Sequence, residues 1–276
     1  SYLSFERDVV PFYSQLDDRL DRKYLASPAR EKLSGHYSVF DRGRKTKAEL
    51  FREENTLLEA EDSELHAKYL EIQGAITVEI DGKTLTPQQC GALLEKPDRS
   101  LREKSFRKLS GRRLEDRERI EAIFDEMLQL RHRIAVNAGF DNYRDYRFRA
   151  LCRFDYEPAQ CYEFHDAVEE IVVPAVRDLT ARRINKLGID SLRPWDRVVS
   201  PFGRSPATPF ENEKEYIEKT RTLFQAVDPV FEEDFDILQR NGLLDLMSRT
   251  GKAPGGYMYP IEDMRLPFIF FNAVGT

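Results

Sequence analysis

Apolar residues recur at helical spacing along most of this 276-residue chain, and that period restricts the fold more than any other feature. Two stretches show the pattern clearly, and each ends at a glycine, Gly139 or Gly188, which favours a helix C-terminus. The apolar positions are Ile120, Ile123, Phe124, Met127, Leu130, Ile134 and Ala138 in the first, and Cys161, Phe164, Val168, Ile171, Val172, Ala175, Leu179 and Leu187 in the second. The pattern predicts a mainly α fold, an elongated multi-helix bundle.

The period changes in two places, and both changes predict β-structure. Residues Ala75–Ile80 alternate before the pair Asp81-Gly82, a strong hairpin-turn signal, so we predict a small β-hairpin near 75–85. Tandem glycines followed by the apolar run Phe268–Phe271 predict a β-hairpin and strand region near 255–275. A core strand so close to the last residue leads us to expect that the sequence is the front part of a longer protein.

Caps and breakers predict where several helices start and stop. Ser27 is expected to cap a helix that breaks at Asp41–Gly43, and a further helix is predicted from Thr46 to Ile72. Thr86 is expected to begin another helix through a capping box. Pro174 lies inside the second apolar stretch and predicts a kink there.

A proline-rich segment, residues 192–210, is predicted to be a loop. It is a candidate domain boundary or a long functional loop. It contains the only tryptophan, Trp195, which we interpret as a domain-packing anchor rather than a ligand contact.

Composition narrows the class of partner. The net charge is −6, which gives no global attraction to nucleic acid or to an anionic membrane, and no apolar run is long enough to span a bilayer. Residues 98–121 are rich in Lys and Arg, but the acids among them favour a solvated helix face over a nucleic-acid site. The three cysteines, Cys90, Cys152 and Cys161, are odd in number and widely spaced, which predicts a reducing cytoplasmic location.

No complete active site is visible in the residues themselves. The HExxH zinc motif is absent, and no two histidines lie within a helical turn of each other. Phosphate-binding glycine loops and the GxSxG nucleophile motif are absent as well. The four histidines, which we interpret as surface or satisfied helix residues, are His36, His66, His132 and His165. We therefore assign no catalytic residue and no metal ligand to this chain.

An ordered set of short motifs resembles the M3 family of zinc oligopeptidases, in particular its oligoendopeptidase F branch. The set covers most of the chain from about residue 80 onward. It comprises Leu85-Thr86, Leu93-Leu94, Pro97–Arg102, Ala138–Phe140 with Tyr143, Pro194–Asp196, Gly242–Leu246, Gly251-Lys252, Gly255–Tyr257, Pro267–Phe270 and Asn272–Gly275.

The resemblance implies a zinc-dependent hydrolase that cleaves internal bonds of short, unfolded peptides. The HExxH helix of that family, with its general-base glutamate, would lie beyond Thr276, so this chain alone is expected to be inactive. The resemblance also implies two domains, an N-terminal helical domain with the β-hairpin over 1–112 and the first part of the helical peptidase domain over 113–276. This chain would supply channel wall and a substrate-side strand.

Two segments near the end of the chain are candidates for contact with a peptide. A strand at a sheet edge can pair with a peptide backbone, and a small residue such as Ala273 would allow close approach. The alternatives are a central core strand and an ordinary turn with a packed tyrosine. The candidate substrate-binding residues are Gly255, Gly256, Tyr257, Asn272, Ala273, Val274 and Gly275.

A second functional class fits the same sequence. A non-catalytic helical module that binds peptides or protein partners would also show long amphipathic helices without a catalytic motif. An HExxH motif in a longer form of the protein would favour the peptidase over this binding module.

Overall fold

The computed structural model describes residues 2–275, apart from the side chain of Tyr2. The chain is mainly helical, as predicted. Short 3₁₀ helices at Pro28–Lys32, Gly35–Tyr37 and Pro194–Asp196 and a π turn at Val168–Val172 accompany the α-helices. The α-helices are α1 (Tyr2–Asp8), α2 (Val10–Leu25), α3 (Ser38–Leu50), α4 (Glu53–Gly74), α5 (Pro87–Leu93), α6 (Arg99–Glu115), α7 (Arg117–Asn137), α8 (Tyr143–Ala150), α9 (Pro158–Ala167), α10 (Val173–Leu187), α11 (Glu213–Val227) and α12 (Pro229–Arg240).

Both predicted β regions are present. The first is an antiparallel hairpin, and the second is a three-stranded sheet in the order β3-β5-β4. The strands are β1 (Val78–Ile80), β2 (Lys83–Leu85), β3 (Leu244–Met247), β4 (Tyr257–Ile261) and β5 (Leu266–Ala273). Among the helices described, none is long and apolar enough to cross a membrane.

The chain divides into two compact units. The first unit contains the residues up to Tyr69 together with Glu118–Ala175, and the second contains Leu70–Arg117 together with the residues from Val176 onward. The predicted domain limit between residues 112 and 113 stays a prediction.

The first unit is held by helix packing that α7 organises. One buried cluster is built on Ile134, Ala135, Ala138 and Tyr146, and another on Leu65, Met127 and Leu130. The buried Asn55 ties α4 to α7 within this unit, because its amide donates to the carbonyl oxygen of Ile134 at 3.0 Å. The apolar stripe predicted on residues 120–138 is therefore a core stripe from Met127 onward, whereas Phe124 is 57% exposed. Gly139 ends the stripe with φ +88°.

The second unit begins with the hairpin, which packs on helices α5 and α6. Its buried residues are Ile76, Val78, Ile80, Cys90 and Leu109. Asp81 and Gly82 both have positive φ, 51° and 75°, as a tight two-residue turn requires. The capping box at Thr86 is confirmed, since its hydroxyl accepts from the N–H of Gln89 while the Gln89 side chain accepts from the N–H of Thr86.

A buried carboxylate joins α6 to the turn Pro194–Asp196. Asp196 is fully buried and accepts hydrogen bonds from Arg99 and Arg102, which lie on α6. Arg102 also donates to the carbonyl oxygen of Trp195 at 3.0 Å. Trp195 is 7% exposed, and the ring of Phe106 lies 5.7 Å from it. Trp195 therefore packs within the second unit, and a role in packing between domains stays a prediction.

Three predicted helix limits differ from the structure. The α-helix predicted to start at Ser27 is replaced up to Tyr37 by the two 3₁₀ helices Pro28–Lys32 and Gly35–Tyr37. Helix α3 runs through Asp41–Gly43, where a break was expected, and the predicted helix from Thr46 to Ile72 is divided near Phe51 between α3 and α4. An ion pair from Arg30 and a hydrogen bond from the Tyr24 hydroxyl to Asp41 compensate for the poor helix propensity of this stretch.

The predicted disturbance at Pro174 takes the form of a π turn over Val168–Val172, directly before α10. Proline has no N–H to donate to the residue four positions earlier, and a π turn accommodates the lost bond.

Candidate functional site

The three-stranded sheet gathers most of the candidate substrate-binding residues. Strand β5 is its middle strand, parallel to β3 on one side and antiparallel to β4 on the other. Leu244 pairs with Ile269 across the parallel contact, and Tyr257 pairs with Phe270 across the antiparallel one. The apolar run of β5 is thus a central strand, which was the alternative considered for it.

Strand β4 is the edge of this sheet. Its outer side has no strand partner among residues 2–275. Three consecutive side chains are largely exposed, Tyr257 at 54%, Met258 at 60% and Tyr259 at 65%. An exposed apolar strand with one unpaired edge offers backbone N–H and C=O groups to an added strand.

The glycine loop that leads into β4 is fixed by Asn272. The Asn272 amide donates to the carbonyl oxygens of Ala253 at 2.9 Å and Gly255 at 2.8 Å. Gly255 has φ +90°, a conformation in which a side chain would be strained. The structure therefore brings Asn272 and Gly255 together, although 17 positions separate them in the sequence.

Gly256 and Tyr257 pack closely against β5. A Cβ atom at Gly256 would lie 2.7 Å from Cδ2 of Phe271 and 3.2 Å from the carbonyl oxygen of Phe270, so only glycine fits there without a shift. The Tyr257 ring stacks on the Phe270 ring, with centroids 4.8 Å apart and planes 8° from parallel. One face of the phenol is thereby fixed while about half of the residue stays exposed to solvent.

A buried lysine that was not among the predicted candidates organises the inner side of this site. The Lys252 side chain is 1% exposed. Its ammonium donates to the carbonyl oxygens of Met247 at 2.9 Å and Phe271 at 2.5 Å and to the Asp245 carboxylate at 2.8 Å. It also lies 4.5 Å from the centroid of the Phe270 ring. Gly251-Lys252 carried part of the family resemblance, but nothing local in the sequence indicates these partners.

The Lys252 ammonium binds where the register of the sheet slips. Asp245 pairs with Phe270 and Met247 with Ala273, so β5 holds one more residue than β3 across this interval. An extra residue leaves backbone groups unpaired, and the Phe271 carbonyl oxygen is one that Lys252 satisfies. The bulge comes directly before Asn272, whose amide holds the glycine loop.

The same lysine contributes to the charge state of Asp245. Hydrogen bonds from Arg249 lower the pKa of Asp245 most, burial opposes them, and the Lys252 hydrogen bond lowers it further, to about 2. The carboxylate is therefore ionised at neutral pH, and it forms a two-point ion pair with Arg249 at 2.6 and 3.0 Å.

The remaining candidates pack against neighbouring backbone. Ala273 is 7% exposed, and its carbonyl oxygen accepts from the N–H of Ser248 at 2.9 Å on the β3 side. A Cβ atom at Gly275 would lie 2.9 Å from the carbonyl oxygen of Phe210. Val274 is partly buried between them. Contact of residues 273–275 with a peptide stays a prediction.

The described residues do not form a metal centre. Across residues 2–275, no three or more His, Cys, Asp and Glu side chains are grouped so that they could hold a metal ion. The donor set present here therefore does not fit a zinc ion, and we derive no chemical step through zinc on this chain.

The chain is mainly helical and carries a three-stranded sheet with β4 at its edge, and a family match specifies the class of protein. The model of peptidase family M3 matches residues 92–276. That match covers more than half of the sequence, and the chain belongs to peptidase family M3. No curated protein matches the chain.

Solved structures share the fold over nearly the whole chain. A protein described as an oligoendopeptidase F from Bacillus anthracis str. Ames matches 99% of this chain with 24% identity and a TM-score of 0.91. PZ peptidase A with an inhibitor matches 99% with 25% identity and a TM-score of 0.92. A further oligoendopeptidase F structure matches 99% with 23% identity and a TM-score of 0.92. The chain covers 50%, 49% and 48% of those chains, about half of each.

Proposed function

We propose that this chain is part of a zinc metallo-oligopeptidase that hydrolyses internal bonds of short, unfolded peptides. Membership of peptidase family M3 supports the hydrolysis of peptides and implies zinc in the whole enzyme. Because the chain spans about half of the solved relatives, the zinc ligands and the general base are proposed to lie outside these residues. On this proposal the chain supplies wall and substrate-side strand, and alone it does not hydrolyse peptides.

The position of β4 at the exposed edge of the sheet supports a substrate-side role. A peptide that adds to the outer side of β4 gains main-chain hydrogen bonds regardless of its sequence. Tyr257 and Tyr259 project from one face of the strand and Met258 from the other, because side chains alternate along a strand. These exposed side chains would cover the two faces of the added peptide.

The glycine loop extends this surface toward the start of β4. Gly255 and Gly256 keep the backbone free of side chains, and Asn272 holds the loop through two hydrogen bonds. Since the loop is held before a peptide arrives, less ordering entropy is lost on binding. Ala273, Val274 and Gly275 are proposed to support this surface at the end of β5.

Strand addition can be tested on the full chain with a fluorescein-labelled hexapeptide and anisotropy titration. The same peptide with N-methyl groups at every internal position has no internal backbone donors, and we expect it to bind at least about tenfold more weakly, the loss of one to two hydrogen bonds. Equal binding of the two peptides would rule out pairing with β4.

The position of the peptide can be tested with a matched pair of tyrosines. Tyr257 and Tyr162 are both 54% exposed, but only Tyr257 lies on β4. Tyr257→Ala is expected to weaken binding and Tyr162→Ala to leave it unchanged. Equal effects of the two substitutions would place the peptide elsewhere.

The alternative, a non-catalytic peptide- or protein-binding module, shares the edge strand but not the chemistry. Metal content and cleavage of an internally quenched fluorescent peptide by the whole protein separate the two, because only the peptidase loses activity when zinc is chelated. Zinc-dependent cleavage by the 276-residue chain itself would contradict the proposed position of the zinc ligands. The three free cysteines are consistent with the cytoplasm, which we propose as the compartment.

A further inference from the structure

A groove beside helix α10 in the second unit combines apolar and cationic side chains. Its cavity of about 390 Å³ lies within the range of about 300–1,000 Å³ typical of small-ligand sites. Val176 and Leu179 supply apolar surface, and they are 51% and 62% exposed. Arg182 and Lys186 line the same space. We call it the α10 groove.

The loop wall of the α10 groove is anchored. The Arg183 guanidinium donates to the carbonyl oxygen of Asp196 at 3.1 Å and to that of Val199. Val199 is 4% exposed, so the chain is fixed just before Pro201, which lines the groove. The groove therefore has one helical wall and one loop wall that are tied together by a side chain.

Two cations lie near one exposed ring, Phe202, which directly follows the groove residue Pro201. The Lys186 ammonium lies 4.2 Å from the centroid of Phe202, and the Arg204 guanidinium carbon lies 5.8 Å from it. Phe202 is 64% exposed. Arg182 is four residues before Lys186, so the two like charges are neighbours on the helix surface. Across residues 2–275, none of these three cations forms an ion pair with a carboxylate.

Unpaired like charges repel one another, and an aromatic face compensates only part of that cost. An anion placed between them would lower the free energy of the cluster. The whole chain has a net charge of −6, so the α10 groove is a locally positive region on a negatively charged chain. That overall charge disfavours a long polyanion, whereas a short acidic ligand meets mainly the local field.

We propose that the α10 groove binds a short acidic peptide segment. A carboxylate lies among Arg182, Lys186 and Arg204, and a neighbouring apolar side chain lies on Val176 and Leu179. A peptide fits better than a free inorganic anion because only the peptide uses the apolar wall. This site goes beyond the proposed peptidase function, since it requires neither zinc nor the edge strand β4.

The test is an anisotropy titration of the full chain with two labelled, acetylated hexapeptides, one centred on Glu-Phe-Glu and one on Gln-Phe-Gln. The glutamate peptide is expected to bind about five- to tenfold more tightly, as two modest ion pairs would give. Raising the salt concentration is expected to remove most of that preference. Equal affinity for the two peptides overturns the proposal.

Substitutions of the groove cations test whether the glutamate peptide binds there. Lys186→Gln combined with Arg204→Gln is expected to reduce affinity for the glutamate peptide about five- to tenfold. Lys83→Gln removes an exposed lysine of the same unit and is expected to have no effect. If both changes weaken binding alike, the attraction is unspecific and the proposal fails.

A charge reversal keeps the test valid if the double variant is unstable. Lys186→Glu is expected to shift preference toward a Lys-Phe-Lys peptide, and no shift counts against the groove. Tyr257→Ala is expected to leave the preference for the glutamate peptide over the glutamine peptide unchanged, because pairing with β4 does not depend on the peptide sequence. Loss of that preference on Tyr257→Ala instead places the acidic peptide on β4 and overturns this inference but not the peptidase proposal. Stronger competition by a short single-stranded oligonucleotide than by unlabelled glutamate peptide also overturns it.

Discussion

Asp196 and Asp21 are both removed from water, yet their pKa values move in opposite directions. Asp196 is 0% exposed and Asp21 is 1% exposed. Burial raises the pKa of Asp196, but hydrogen bonds from Arg99, Arg102 and the Arg193 N–H outweigh it and lower the pKa to about 2. Burial raises the pKa of Asp21, and the nearby Arg44 does not offset that effect.

The difference lies in the number of donors that reach each carboxylate. Asp196 accepts from Arg99 at 3.1 and 2.8 Å and from Arg102 at 2.9 Å. Asp21 has a single ion pair with Arg44, whose Nε approaches the Asp21 Oδ1 atom without the geometry of a hydrogen bond. Asp17 also raises the Asp21 pKa by repulsion. A buried carboxylate thus stays readily ionised only when a full set of hydrogen-bond donors reaches it.

Replacing each aspartate by asparagine should give the largest difference between the two sites in the free energy of unfolding. Asp196→Asn leaves Arg102, which is 3% exposed, without its carboxylate, and we expect a loss of about 3–5 kcal/mol in the free energy of unfolding. Asp21→Asn removes a poorly satisfied charge while Arg44 keeps Asp17 as a partner at 3.5 Å, so we expect a change below about 1 kcal/mol. Urea unfolding measures both, and similar losses would contradict the comparison.

Lys252 extends the comparison to a buried cation near the candidate site. Like Asp196 it has a full set of partners, and Lys252→Met would leave the carbonyl oxygens of Met247 and Phe271 without that donor. We expect a loss of about 2–3 kcal/mol, since unsatisfied buried acceptors cost about 1–3 kcal/mol each. Lys214→Met is the control because that side chain is 85% exposed. A loss for Lys252→Met no larger than the control would show that the bulge needs no cation.

Much of the fold follows from local sequence. Helical spacing predicted the stripe on α7, and the alternation before Asp81-Gly82 predicted the hairpin, because each depends on neighbours within a few residues. The predicted break at Asp41–Gly43 was wrong, since contacts from Tyr24 and Arg30 to Asp41 stabilise α3 from outside the local pattern. Tertiary contacts override weak propensities of this kind.

The candidate site was less predictable because its geometry depends on distant pairs. Strand β3 has four residues and pairs in parallel with β5, so nothing local marks it. Without β3, the middle position of β5 and the outer edge at β4 could not be derived. The partners of Lys252 lie up to 19 positions away, and the register slip that it stabilises appears only when the strands are aligned.

The pH dependence of stability should differ in sign at the two aspartates. The Asp196 pKa is lowered from 3.8 to about 2, so its contribution is present above pH 3.8 and is lost as the pH falls toward 2; we expect about 2 kcal/mol. The Asp21 pKa is raised above 3.8, so the folded state binds more protons and stability falls as the pH rises through that value.

Urea unfolding between pH 2 and 6 checks this prediction for the unaltered chain and for the two asparagine variants. The gap between the unaltered chain and Asp196→Asn should shrink toward pH 2. The gap for Asp21→Asn should move in favour of the variant as the pH rises. Parallel plots of unfolding free energy against pH for all three proteins would contradict the proposed difference between the sites.

Asn272 tests whether a neutral donor can fix a loop as the charged donors do. Its amide bonds to the carbonyl oxygens of Ala253 and Gly255, and Asn272→Ala removes both, for an expected loss of about 1 kcal/mol. Because the loop should then open more often, hydrogen exchange at residues 253–256 should accelerate about fivefold, the factor that 1 kcal/mol gives.

Asn185→Ala is the control, since Asn185 is exposed on α10, and it should leave exchange in the loop unchanged. If Asn272→Ala weakens hexapeptide binding while Tyr257 still stacks on Phe270, the loop is part of the peptide surface and not only a connection to β4. If exchange accelerates but peptide affinity is unchanged, the peptide contacts β4 alone, and Asn272 has a structural role at the bulge that Lys252 holds.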